Sequence, residues 1–267
     1  MKIQNIVLVS LLTLISIELL GDGLPIEKSV SDLFDQGKVE VKDGVLDLSR
    51  KKLTSLKGLK NIEEPEKVRV LRLYGNYLEK LPAGIFDDFV NLEKCYLTFN
   101  NLKELPLGTF KQLRKLEILK LDHNKLGALP AGIFDDLVNL RQLHLDFNEL
   151  EAVPDNLLLR LTKLEWLFLD NNKLKTPLPP TLFNGPVHFE RVAISGNLLD
   201  EKEMVAVSKE LRRAHPKVIV TLNQEIEGMK PLSRPEKNQH LAQKSAHKKN
   251  HAVKVAKQIT QEKVAVA

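Results

Sequence analysis

Leu119 to Leu150, LKLDHNKLGALPAGIFDDLVNLRQLHLDFNEL, contains one complete motif and the start of the next. It opens Leu-x-Leu-x-x-Asn-x-Leu, continues Leu-Pro-x-x-x-Phe-x-x-Leu-x-x-Leu, and begins again. Working outward, its asparagine recurs at Asn76, Asn100, Asn124, Asn148 and Asn172, each 24 residues after the last, and at Asn197 after 25. Self-similarity at a fixed period of this size means a solenoid, in which each unit buries its apolar face only against its neighbours. The alternation in Leu-x-Leu predicts a short strand, and stacked strands make a parallel sheet. The asparagine stands where the chain turns, so its amide can satisfy backbone groups of neighbouring coils that would otherwise be buried unpaired. A column of Phe86, Phe110, Phe134 and Phe183, with Leu158 substituting once, predicts a core on the opposite side.

The motif resembles the leucine-rich repeat family over roughly Val45 to Leu199. That resemblance implies an α/β solenoid: a curved right-handed coil with a parallel sheet on the concave face and short helices or turns on the convex one. Strands are expected at 45–49, 70–74, 94–98, 118–122, 142–146, 166–170 and 191–195. The first unit is degenerate, with Lys51 in place of the asparagine, as expected of a terminal coil.

The segments either side of the repeats divide the chain. Residues 1–23 read as a signal peptide, with Lys2 before the apolar run Ile6 to Ile17. Cleavage after Gly23 fits a small-x-small pattern best, and Gly21 also fits; an uncleaved anchor is the alternative. The run is shorter than the ~20 residues of a spanning helix, and Glu18 breaks it. An N-terminal cap is expected over 24–44, with a helix over Pro25 to Gln36 and a hairpin turn at Asp43-Gly44. About seven repeats fill 45–199. A helix and strand over 200–222 form the other cap, with a capping box at Asp200 and Glu203 and Met204, Val207, Leu211 and Ala214 on one helical face. Residues 223–267 are polar and aromatic-free, and a disordered tail is expected there.

Charge and cysteine narrow the functional classes. Residues 230–267 carry nine Lys/Arg against two Glu, so +7, which leaves −2 for the rest of a chain whose formal charge is +5. The basic character belongs to the tail, where it can attract an anionic polymer or envelope surface; nothing points to specific nucleic-acid binding. A single cysteine, Cys95, allows no intramolecular disulfide. Secreted animal members of the family have disulfide-bonded caps. The phrase LPAGIFDDLVNL is similar to variable lymphocyte receptors, but cysteine-free caps and the absence of any Asn-x-Ser/Thr site look more like bacterial secreted members. Location outside the cytoplasm, secreted or in the periplasm or cell envelope, is the expectation.

The residues that the motif leaves free carry the functional reading. Counting along each strand, the outward positions include Arg72, Tyr74, Tyr96, Lys120, Asp122, His144, Asp146, Trp166, Phe168 and Asp170. The only tryptophan and two of three tyrosines therefore project from the sheet, in a chain with 5% aromatics. Such residues are typical interface anchors. Phe99 and Phe147 stand at strand exits. The Asp122–Asp146–Asp170 column beside His144 admits a cation site or acid–base chemistry; the preferred reading is a polar strip facing a partner. No catalytic group, cofactor or metal ligand is assigned. The expectation is a non-enzymatic interaction module that binds another protein through its concave face.

Overall fold

The computed structural model describes residues 27–176, 178–182 and 187–222. All belong to one unit ending at Asn223; the second, Gln224–Ala267, lies outside them, as do the leader, the tail and Phe183.

Nine strands lie side by side in chain order: β1 (Val41–Lys42), β2 (Val45–Asp47), β3 (Val70–Arg72), β4 (Lys94–Tyr96), β5 (Ile118–Lys120), β6 (Gln142–His144), β7 (Trp166–Phe168), β8 (Arg191–Ala193) and β9 (Ile219–Thr221). β1 and β2 form an antiparallel hairpin through Asp43 and Gly44, both at positive φ; every later pairing is parallel. The register never slips, so Leu71, Cys95, Leu119, Leu143, Leu167 and Val192 form one row. These central residues are buried, and in β3 to β7 both flanking residues are half-buried.

The strands have three residues rather than the five expected, although inter-coil bonds continue beyond them: Leu97 N–H donates to the Lys120 carbonyl at 2.8 Å. The chain leaves extended geometry two residues later, at a left-handed position shared by successive coils.

The asparagine ladder stitches each coil to the one before. Asn124 Oδ1 accepts from Leu102 N–H at 3.0 Å, while its Nδ2 donates to the carbonyls of Leu97 and Leu121, each at 3.0 Å. Asn76, Asn100, Asn148, Asn172 and Asn197 repeat the arrangement. The amides thus satisfy buried backbone that the strands leave unpaired. Opposite the sheet, turns with successive i→i+3 bonds (Leu137 to Phe134, Leu140 to Leu137) replace regular helices. Phe86, Phe110 and Phe134 stack beneath them at 6.1 and 6.0 Å, and Leu158 continues the column.

Among the described residues two α-helices flank the coils. α1 (Val30–Phe34) begins at Ser29, whose capping box with Asp32 sets its start later than Pro25. It buries Val30 and Leu33, and Ser31 N–H donates to Lys57 O at 2.9 Å. α2 (Glu201–Ala214) has the Asp200/Glu203 capping box and buries Met204, Val207 and Leu211. Ala214 is exposed, contrary to the sequence expectation. The helix ends there, and the ring of His215 meets Phe189 edge-on at 5.2 Å in its place. Among the described residues no helix is long and apolar enough to cross a membrane.

Candidate functional site

In a parallel in-register sheet, equivalent side chains on neighbouring strands stand about 4.8 Å apart. The outward row therefore runs Asp47, Arg72, Tyr96, Lys120, His144, Phe168. It continues through Ala193, which is buried, to Thr221. Arg72 pairs with Asp47 at 3.2 Å, and the Arg50 guanidinium lies 5.4 Å from the centre of the Tyr74 ring. At the other end three rings meet. His144 stacks on Phe168 at 4.4 Å, and Phe168 meets Trp166 edge-on at 6.4 Å. Trp166 Nε1 donates to Glu190 at 3.1 Å, which fixes the indole. His144, Trp166 and Phe168 are thus one group, separated from Tyr96 by the strand that carries Lys120.

The aspartates, expected as a polar strip facing a partner, are less exposed than their outward positions suggest. Asp122 is only 9% exposed; its Oδ1 accepts from Thr98 Oγ1 at 2.8 Å and its Oδ2 lies 3.1 Å from His123 Nδ1. Asp170 accepts from Ser195, through the backbone N–H at 2.9 Å and the hydroxyl. Asp146 Oδ1 lies 3.9 Å from His144 Nδ1, too far for a hydrogen bond. Asp146 and Asp170 are half-buried.

Burial sets the electrostatics. Burial, then the Lys120 charge, lowers the His144 pKa to about 4 against the pull of Asp122, so its ring is neutral at pH 7. Burial, then the charges of Asp122 and Asp170, raises Asp146 to about 6. Burial also pushes Asp122 upward, but its bonds from His123 and Thr98 outweigh that and hold it below the ordinary range.

A second aromatic group stands at the strand exits. Phe99, His123 and Phe147 have φ of 55°, 54° and 53°, a conformation that costs most side chains about 1–2 kcal/mol. Their rings stack in sequence at 4.1 and 4.3 Å, with Phe99 56% and Phe147 40% exposed. The sequence reading singled out the two phenylalanines and missed His123. Its signal was present: His123 lies 24 residues from each of them. It also joins this shelf to the aspartate column through Asp122.

Among known families, the one described as leucine rich repeat matches residues 66–126, 90–150 and 139–199. No curated protein matches the chain.

Proposed function

We propose, since this chain belongs to the leucine-rich repeat family, that it is a non-catalytic module whose concave sheet face binds another protein. The observation that carries this reading is the cluster of half-buried Trp166, Phe168 and His144 on a rigid sheet, beside the exposed shelf of Phe99, His123 and Phe147. Rigid aromatic side chains with apolar bodies and polar tips give large contact area at small entropic cost. Tyr74, Tyr96, Trp166 and Phe168 are the anchors.

Charge narrows the partner. Among the described residues Lys94, Lys120 and Arg191 project from the sheet without an ion pair, whereas Asp122 and Asp170 are held by Thr98 and Ser195. Arg72 is shared with Asp47. The face therefore offers positive charge around aromatic rings, and an acidic, partly apolar protein surface complements it.

The test is affinity capture with the chain lacking its leader, followed by quantitative binding of whatever is retained. Replacing Trp166 and Phe168 by Ala should weaken binding at least tenfold with an unchanged far-UV circular dichroism spectrum; unaltered affinity would remove the assignment. Truncation after Gly228 separates a second reading, in which the +7 tail binds an anionic polymer or envelope surface: that reading requires loss of salt-sensitive binding. Export is part of the proposal, supported by residues 1–23, and a mature N-terminus at Asp22 or Leu24 is the expected result.

A further inference from the structure

We propose that Asp122, His144 and Asp146 bind a divalent metal ion of the zinc class on the face of the sheet. Each supplies one ligand atom, and the three atoms lie within 4.8 Å of one another although they come from two successive coils. Two carboxylate oxygens and one imidazole nitrogen are a donor set suited to zinc and, with lower affinity, manganese.

A second observation separates this cluster from an ordinary group of acidic residues. His144 Nε2 and Asp146 Oδ1 are both shielded from solvent, and neither atom has a hydrogen-bond partner among the described residues. Buried polar atoms are nearly always paired, so an unpaired atom on each of two of the three side chains calls for an explanation. An imidazole nitrogen can present a lone pair to a metal ion, and a cation bound to His144 and Asp146 satisfies both residues at once.

The surroundings fit the same reading. Thr98 and His123 hold the Asp122 carboxylate in place, and Phe168 stacks on the His144 ring and fixes its plane. Outer contacts of this kind orient metal ligands. The charge of Lys120 acts on the histidine and those of Asp122 and Asp170 on Asp146, so carboxylates outnumber ammonium at the cluster. Zinc bonds of about 2.0–2.2 Å require ligand atoms closer together than 4.8 Å, so loading draws the three side chains inward. Three protein ligands leave a position for water or for another molecule's side chain.

The experiment uses the full chain, stripped of metal with a chelator and titrated with zinc chloride by calorimetry, with calcium chloride in parallel. One zinc ion per chain with a Kd below about 10 µM, and much weaker calcium binding, is expected. Asp122→Asn, His144→Gln and Asp146→Asn should each weaken it at least tenfold. The tail carries His240, His247 and His251, which bind zinc adventitiously, so a variant with all three changed to Gln is titrated as well. Binding that survives in His144→Gln and disappears in the tail variant overturns the proposal, as does no binding at all. Where a variant fails to fold, histidine NMR of the wild-type chain decides: zinc either shifts the His144 ring nitrogens or leaves them unmoved, and the second result overturns the site.

Discussion

Asn124 and Asn139 provide a direct test of what holds the coils together, because they make similar bonds in different surroundings. Asn124 serves Leu102 N–H and the carbonyls of Leu97 and Leu121, all buried. Asn139 donates to Arg114 O at 2.7 Å and accepts from Lys163 Nζ at 2.7 Å, both exposed. Asn124→Ala orphans the buried Leu102 N–H and takes from each carbonyl one of two amide donors, since Asn100 still donates to Leu97 O and Asn148 to Leu121 O. The orphaned N–H costs about 1–3 kcal/mol and the two lost carbonyl bonds add to it, so the expected loss is about 2–4 kcal/mol. Water replaces the lost partners in Asn139→Ala, which should cost less than about 1 kcal/mol. Urea unfolding followed by circular dichroism and by the single tryptophan measures both. The first midpoint should fall steeply and the second barely move. Losses equal within about 1 kcal/mol would refute the claim that burial of the served backbone, rather than the bond count, gives the ladder its value.

Three further outcomes follow from the geometry. Burial pushes the Cys95 thiol up to about 12, so it should resist iodoacetamide at pH 8.5 in the native protein and react fully in urea; native labelling at the rate of a free thiol would contradict its place in the core row. Gly58→Ala should destabilise by more than about 2 kcal/mol, because φ there is +90° and an added Cβ would lie 2.7 Å from Ser31 N. A thermal melt within a degree of wild type would mean that α1 does not press on that turn. Asp200→Ala removes the acceptor of Glu203 N–H and should cost about 1 kcal/mol, with increased amide exchange confined to the first turn of α2.

The fold was legible because the period fixes which residues are equivalent, and the sheet register then follows. Strand length was not, since the bonds between coils outlast extended geometry and the left-handed residue that ends it can be Gly75, Phe99, His123 or Asn171. The start of α1 turned on Ser29, a better first cap than the sequence around Pro25 suggested. The outward row could be counted from the alternation, which is why Trp166, Phe168 and His144 were found. What each side chain turns toward could not: Asp122 and Asp170 occupy equivalent positions, yet one meets Thr98 and His123 and the other Ser195. Those choices depend on residues in adjacent coils. His123 escaped because the alternation rule stops at the strand end, whereas the 24-residue period does not.

The unslipped register makes the sheet a ruler whose graduation is one strand spacing, about 4.8 Å. Tyr96 and Phe168 stand three graduations apart, and nothing between them except whole coils sets that distance. Deleting or duplicating one 24-residue unit would leave each coil's own bonds intact and move the two rings by a single step. A partner that engages both ends of the face is therefore matched to a number of coils, and its affinity should change in discrete steps as coils are added or removed.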